Sequence, residues 1–325
     1  MPFRPEEVLF SPTTDCNLAC SHCTTGIPRS KAVLSEKLAR KFLEQCASVG
    51  VERVGFTGGE PFLATGFLLS IVKAAVAKGL LFDRIMTNGL WWPGARILKN
   101  ILTGLGDAGY DGSICVSVDA FHTRPRHLKK VAHFIRTAVD VWRRPDIVSL
   151  ACVTGERDKE TASCLRSLAK LLGARVAKSS AGRLYIKSGS VFIKIYTIDL
   201  APTGKASGLK NPWDGRWFRE DHCKGPGNVF LVMPDGGVKP CCGYASDDKA
   251  LTIGNIRRDS ARDIMRRFRK NRFASTIFGS GLGAIRKRLE ASGIQFPGKT
   301  SSHCYFCGYI LNDIPKGTLN RCLDR

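Results

Sequence analysis

Three cysteines close to the start of the chain have the type and spacing of metal ligands. Cys16, Cys20 and Cys23 lie in the stretch DCNLACSHC with the pattern C-x3-C-x2-C. Thiolates are soft ligands that select iron-sulfur clusters, zinc or copper(I). Four protein ligands usually close a structural zinc site or a cubane cluster, so three ligands leave one coordination position open. The triad therefore indicates a catalytic metal centre rather than a structural one.

A second motif follows a predicted strand at residues 51–57 and consists of Gly58, Gly59, Glu60 and Pro61. A C-x3-C-x2-C loop after a first strand at residues 8–10, followed by this GGEP turn, resembles the radical S-adenosylmethionine (SAM) superfamily. The resemblance covers residues 6–205. It implies that the three cysteines hold a 4Fe-4S cluster and that the amine and carboxylate of SAM chelate the fourth iron.

The family resemblance also assigns a role to the GGEP turn. It implies that this turn contacts the methionyl amine of SAM, since glycine lets the backbone approach a ligand closely. Glu60 is expected to order the turn or to accept a hydrogen bond from that amine. Taken alone, the four residues fit an ordinary turn between a strand and a helix.

Two further strand ends are similar to SAM-contacting segments of the family. Asn88 stands in Thr-Asn-Gly, and Ser117 and Asp119 form an S-x-D pair whose members share one face of a strand. Their hydroxyl and carboxylate groups suit the ribose or the methionyl part of SAM. Arg126 is the candidate for holding the SAM carboxylate; Lys129 and a solvated basic surface are the alternatives.

Strands and helices alternate through residues 1–205. Predicted strands lie at 8–10, 51–57, 82–87, 113–118, 147–153 and 191–198, with helices at 35–50, 67–78, 95–105, 128–141 and 159–172. This alternation predicts an α/β fold with a parallel sheet. The family resemblance implies a partial (β/α)6 barrel, and parallel α/β folds place their ligand sites at the carboxyl ends of the strands.

A second set of cysteines lies beyond a Pro- and Gly-containing segment at residues 201–206, which predicts a boundary between domain 1–205 and domain 206–325. A predicted hairpin over 229–239 brings Cys223 and Cys241 together, and Cys304 and Cys307 complete a set of four. This spacing fits zinc as well as iron-sulfur.

The layout of this second part resembles the SPASM or twitch domain, a smaller cysteine-rich α+β domain. The resemblance implies a second, auxiliary 4Fe-4S cluster, and structural zinc is the alternative. Cys242 and Cys322 are left as alternative ligands or free thiols.

Composition limits the class of protein. The chain of 325 residues is 43% hydrophobic and has no run of 18 apolar residues or N-terminal signal pattern, so we expect no membrane association and a cytoplasmic location. In that reducing compartment, 13 cysteines favour metal binding over disulfides. The net charge of +22 fits a polyanionic or acidic peptide partner, and the alternative is the basic surface of a protein from a basic proteome. The absence of an aromatic-interleaved basic motif disfavours nucleic acid.

The resemblance implies reductive cleavage of SAM to a 5′-deoxyadenosyl radical, with electrons from a donor such as flavodoxin or ferredoxin. We expect that radical to abstract hydrogen from a peptide or protein, giving oxidation or a crosslink. One alternative is a dehydrogenase of a small polar alcohol or sugar-like molecule. The other is a non-catalytic protein that binds zinc or nucleic acid. No catalytic acid or base stands out in the sequence.

Overall fold

Eleven strands form a single sheet in the computed structural model, which describes residues 3–23, 32–155, 157–188, 192–218, 228–243 and 248–324. The strands are β1 (Glu7–Phe10), β2 (Arg53–Phe56), β3 (Leu81–Thr87), β4 (Ser113–Ser117), β5 (Val148–Thr154), β6 (Arg175–Lys178), β7 (Leu184–Lys187), β8 (Phe192–Asp199), β9 (Val229–Val232), β10 (Gly237–Lys239) and β11 (Gly254–Asn255). Their order is β11-β10-β9-β1-β2-β3-β4-β5-β8-β7-β6. The predicted parallel array is confirmed, since β1, β2, β3, β4, β5 and β8 pair in parallel.

Within the described residues, five α-helices connect these parallel strands, and five more follow β11. They are α1 (Glu36–Ser48), α2 (Thr65–Ala77), α3 (Ala95–Asp107), α4 (Leu128–Trp142), α5 (Asp158–Leu171), α6 (Ala261–Lys270), α7 (Arg272–Ser280), α8 (Leu282–Ala291), α9 (His303–Asp313) and α10 (Lys316–Leu323). The crossover helices bury one apolar face against the sheet. In α4, for example, Leu128, Val131 and Ile135 recur at helical spacing and are buried. No helix in the described part of the chain is long and apolar enough to cross a membrane.

An antiparallel hairpin stands between α5 and β8, where the sequence analysis places no strand or helix. β6 pairs antiparallel with β7, and β7 pairs antiparallel with β8. Each of the two strands has four residues, which is too short for alternation to be recognised reliably. The turn between them is closed by Ser179 N–H donating to the Arg183 carbonyl at 2.9 Å, with Gly182 at φ +78°. The hairpin widens the sheet beyond the parallel array.

The C-terminal part of the chain continues the same sheet. β9 pairs in parallel with β1, and the predicted hairpin is confirmed by the antiparallel pairing of β9 with β10. Phe3 stacks on Phe268 at 4.0 Å between ring centroids and meets the edge of Phe230 at 5.7 Å. The sheet and the core therefore run across the boundary predicted at residue 205.

Candidate functional site

The cysteine triad lies in the loop that follows β1. All three thiols are partly buried and line a cavity of about 480 Å³ at the carboxyl ends of the parallel strands. The loop is held by short-range bonds: Cys23 N–H donates to the Cys20 carbonyl at 3.3 Å, and Cys16 N–H donates to Asp15 Oδ1 at 3.1 Å. Burial raises the pKa of Cys16, and burial followed by the neighbouring thiols raises the pKa of Cys20 to about 12. A nearby cation would favour the thiolate forms of Cys16 and Cys20, which suits a metal-binding set.

The GGEP turn packs directly on the start of that loop. Gly59 N–H donates to the Thr13 carbonyl at 3.0 Å, and Glu60 N–H donates to the Asp15 carbonyl at 2.8 Å. A Cβ atom at Gly59 would overlap the Asp15 carbonyl oxygen. Gly58 has φ +123°, and a Cβ there would lie 2.6 Å from Ser11 Oγ. The close approach that these glycines permit is therefore made to the cysteine loop itself, and both glycines also line the cavity.

Glu60 is fully buried behind the cavity, and the protein uses both of its carboxylate oxygens. Oε1 accepts from Thr87 Oγ1 at 2.8 Å and from Phe62 N–H at 3.2 Å, while Oε2 accepts from Asn88 N–H at 2.8 Å. Burial raises the pKa of Glu60 to about 7, although these hydrogen bonds act to lower it. Of its two expected roles, ordering the turn fits this geometry. Pro61, also buried, begins the short 3-10 turn that follows.

Asn88 connects the end of β3 to the cysteine loop. Its Nδ2 donates to Asn17 Oδ1 at 2.7 Å and lies 3.9 Å from Cys16 Sγ, and its Oδ1 accepts from Leu90 N–H at 2.8 Å. The side chain is buried at the cavity wall. The amide thereby fixes the loop that carries the first cysteine.

Ser117 and Asp119 lie at the end of β4 and both line the cavity. Asp119 is completely buried, with Oδ1 accepting from the N–H groups of Phe121 and His122 at 2.8 and 2.9 Å. Oδ2 accepts from Val153 N–H at 3.0 Å and lies 2.8 Å from His122 Nδ1. Burial acts to raise the pKa of Asp119, but the bonds from His122 and Val153 outweigh it and hold the pKa at about 2.

Two histidines complete this wall of the cavity. The ring of His122 lies 4.4 Å from that of His22, and both rings line the cavity. His22 is 7% exposed, and its Nδ1 has no hydrogen-bond partner among the described residues. Burial first and His122 second lower the pKa of His22 to about 4, so the ring is neutral. Sequence reasoning missed His22, although it stands inside the cysteine motif as Ser-His-Cys.

Arg126, which the sequence analysis assigns to the SAM carboxylate, does not line the cavity. Arg126 is exposed in the short turn before α4, with Nε 3.3 Å from His127 Nε2, and Lys129 is exposed as well. The cavity is instead lined by Lys205, whose backbone N–H donates to the Cys23 carbonyl at 3.0 Å. The sequence signal for Lys205 is its place in the Pro-Thr-Gly-Lys-Ala segment after the last parallel strand.

Of the second cysteine set, the described residues include Cys241, Cys304 and Cys307. Cys241 follows β10, and Cys304 and Cys307 stand three residues apart on α9, which places them on one face of the helix. A Cβ atom at Gly243 would lie 3.1 Å from Cys304 Sγ, so the segment after β10 meets the start of α9. Cys223 lies outside the described residues.

The two cysteines left over in the sequence differ from each other. Cys242 is exposed. Cys322 is buried on α10 with its Sγ 3.2 Å from Ser292 Oγ, a packing contact between α10 and the end of α8.

Comparison with known families agrees with this geometry. Residues 10–145 match the radical SAM superfamily, and residues 223–281 match SPASM, an iron-sulfur cluster-binding domain. The chain therefore carries a radical SAM domain and a C-terminal SPASM domain. A 4Fe-4S cluster and SAM are the cofactors of the first part, and auxiliary iron-sulfur binding is the property of the second.

Two curated relatives differ in the share of the chain they match. GTP 3′,8-cyclase of Listeria monocytogenes serotype 4b is 31% identical over 172 residues, 49% of this chain and 49% of that protein. The chain thus spans about half the length of the cyclases it matches. A putative peptide biosynthesis protein of Bacillus subtilis, YydG, is 22% identical over 319 residues, 93% of this chain and 90% of that protein.

Two solved structures share the fold over nearly the whole chain. BtrN in complex with AdoMet and 2-DOIA has a TM-score of 0.51 at 16% identity and covers 93% of this chain and 98% of its own. The enzyme anSMEcpe with AdoMet and a Cp18Cys peptide has a TM-score of 0.56 at 13% identity, with 98% and 99% covered. At these identities the likeness concerns the fold alone.

Proposed function

We propose that this radical SAM protein oxidises or crosslinks a peptide or protein substrate. The observation that carries the proposal is the single cavity that brings the cysteine triad together with Gly58, Gly59, Asn88, Ser117 and Asp119. Two findings support a peptide as substrate. YydG, matched over most of both chains, is named a putative peptide biosynthesis protein. The net charge of +22 favours an acidic partner.

The residues at the cavity fit the cofactors of the family. In this proposal Cys16, Cys20 and Cys23 hold the cluster, because the three thiols are partly buried and line one cavity, and burial raises the pKa of Cys16 and Cys20 so that a cation favours their thiolates. When bound, the reduced cluster with SAM supplies the hydrogen-abstracting chemistry of the superfamily. The protein's own contribution is binding, orientation and exclusion of water.

The other polar residues in and around the cavity have separate roles in this proposal. Asp119 fixes the ring of His122 through Nδ1, which leaves Nε2 as the ring atom available to the cofactor. Lys205 is the cation that we assign to the SAM carboxylate, in place of Arg126, since Lys205 lines the cavity. Glu60 and Asn88 fix the position of the cysteine loop relative to the strand ends.

The second cysteine set has the role of an auxiliary centre in this scheme. Cys241, Cys304 and Cys307, together with Cys223, are the ligands that we propose for an auxiliary 4Fe-4S cluster. A peptide that has lost a hydrogen atom must lose one electron and one proton to become a two-electron oxidation product. An iron-sulfur cluster is a suitable acceptor for that electron.

The test uses anaerobically reconstituted protein with SAM, a chemical reductant and candidate peptides, including any short acidic peptide encoded beside the gene. We expect 5′-deoxyadenosine together with a peptide that has lost two hydrogens, both measured by mass spectrometry. Replacing Cys16, Cys20 and Cys23 by alanine should abolish both products. The matched control is Cys46→Ala, because Cys46 is a buried core thiol on α1. Oxidation of small alcohols with every peptide left unchanged would favour the dehydrogenase alternative.

A further inference from the structure

One face of β8 exposes large apolar side chains although the strand lies next to the cavity. Phe192, Tyr196 and Ile198 are 37%, 44% and 38% exposed. Side chains alternate along a strand, so these three share one face, whereas Ile193 and Ile195 point the other way and are buried. Solvent-exposed apolar side chains grouped on one surface indicate a binding site more often than single scattered ones do.

The hairpin extends this face away from the cavity and adds positive charge. Lys194 of β8 is paired with Tyr185 of β7, and Phe192 is paired with Lys187. Paired residues of neighbouring strands point to the same side of a sheet. The rings of Tyr185 and Phe192 lie 4.9 Å apart, and both lysines are exposed.

At its other end the face runs into the cavity. Tyr196 is paired with Ala151 of β5, and Val153 is paired with Ile198. Ala151, Val153 and Ile198 line the cavity that holds the cysteine triad. The guanidinium of Arg84, on β3, lies 5.7 Å from the centre of the Tyr196 ring and is paired with the Asp83 carboxylate at 2.8 Å.

We propose that this surface, Tyr185, Lys187, Phe192, Lys194, Tyr196 and Ile198, is the docking site for an acidic peptide segment that contains aromatic or aliphatic side chains. The inference rests on the proposed function and names the part of the substrate that flanks the reacting residue. From Phe192 to Ile198 the strand spans roughly 20 Å, enough to contact about six residues of extended peptide.

The side chains of this surface favour an acidic peptide with apolar side chains as the ligand. Lysines beside exposed aromatic rings match carboxylates interleaved with apolar side chains, since interfaces combine aromatic anchors with complementary charge. A basic peptide would face these lysines and the net charge of +22 as well. A nucleic acid would use the cations but would leave the aliphatic end of the surface without a partner, and it is therefore an outcome of the test.

Binding is measured with the reconstituted protein and SAM, without reductant, so that docking is separated from turnover. The probe is a fluorescein-labelled peptide of alternating Glu and Phe, compared with its Lys–Phe counterpart and with a single-stranded oligonucleotide. Lys187→Glu together with Lys194→Glu should weaken binding of the acidic probe about tenfold or more. The matched control is Lys73→Glu together with Lys99→Glu, exposed on α2 and α3, with less than about a twofold effect.

A second pair of variants tests the apolar part of the surface. Phe192→Ser together with Tyr196→Ser should also weaken the acidic probe about tenfold. Val76→Ser, 46% exposed on α2, should leave binding unchanged. Circular dichroism confirms that each variant is folded. Equal losses in surface and control variants, or tighter binding of the Lys–Phe peptide or the oligonucleotide, would overturn the proposal.

The two proposals fail in different ways. If acidic peptides dock on this surface but none is ever modified, the surface stands and the peptide-modifying function is wrong. If peptides are oxidised and KM is the same in wild type and in the charge-reversal variant, the function stands and the docking surface is wrong.

Discussion

At the scale of single residues, two buried carboxylates hold the fold together through hydrogen bonds within the chain. Sequence patterns place Glu60 and Asp119 at the cofactor, but every oxygen of both side chains accepts a hydrogen bond from within the chain. Several donors are distant in sequence, as Val153 is from Asp119. Only the folded sheet brings such partners together, so residue type alone could not distinguish a ligand contact from a structural brace.

Asp119→Asn tests this role. The substitution places an amide NH2 where a carboxylate oxygen accepts from Val153 N–H and His122, so we expect a loss of about 1–3 kcal/mol in the free energy of unfolding near neutral pH. The folded pKa of about 2 lies below the ordinary value of 3.8, so the carboxylate stabilises the fold above that range. The stability difference should therefore shrink as pH falls from 3.8 to about 2.

Urea denaturation of both proteins across that pH range provides the measurement. Asp107→Asn is the control, because Asp107 is exposed at the end of α3, and it should change the free energy of unfolding by less than about 0.5 kcal/mol. Equal stability of wild type and Asp119→Asn at neutral pH would show that the hydrogen bonds of Asp119 do not support the fold.

At the scale of elements, the turn after β2 and the loop after β1 form one unit. Gly59→Ala should therefore damage the metal centre itself, because its Cβ would overlap the Asp15 carbonyl beside Cys16. We expect iron bound after anaerobic reconstitution to fall, together with SAM affinity. Gly66→Ala is the matched control, since a Cβ at Gly66 in α2 meets nothing within 4 Å. Full iron content with lost SAM affinity would instead support close approach of Gly59 to the cofactor.

Much of this arrangement could be predicted from the sequence. The six parallel strands and five crossover helices follow from periodicity, and the cysteine loop and strand-end motifs meet at one cavity. The β6–β7 hairpin could not be predicted, because two four-residue strands carry too little pattern. Lys205 was missed for another reason: only the parallel return of β8 beside β5 brings the following segment back to the cysteine loop.

At the scale of the whole molecule, the two parts of the chain share one sheet. β1 has β2 on one side and β9 on the other, so removing residues 206–325 would expose an edge of β1 and uncover Phe3. We expect a 1–205 fragment to aggregate, since an unpaired apolar edge is a template for association. The full chain should unfold in one cooperative transition. A monomeric, folded 1–205 fragment by size-exclusion chromatography and circular dichroism would show two independent domains.

The metal content of the whole chain decides whether the second cysteine set holds a cluster or a structural zinc. With 4Fe-4S clusters at both sites, anaerobically reconstituted protein should contain about eight irons, whereas one cluster and one zinc would give about four irons. Replacing Cys16, Cys20 and Cys23 by alanine isolates the second site. That variant should keep about four irons per chain and show a single cubane by Mössbauer spectroscopy.

Cys304→Ala with Cys307→Ala is the reciprocal variant, which should retain the iron of the first site alone. Cys322→Ala is its control, because Cys322 packs against Ser292 and should leave the iron content unchanged. One zinc and no iron in the variant without the first triad would make the second site structural. The peptide radical would then have no cluster in the C-terminal part to take its electron, and the reaction would have to end by returning a hydrogen atom to that radical. Iron at the second site therefore supports net oxidation of the peptide as well as the ligand assignment.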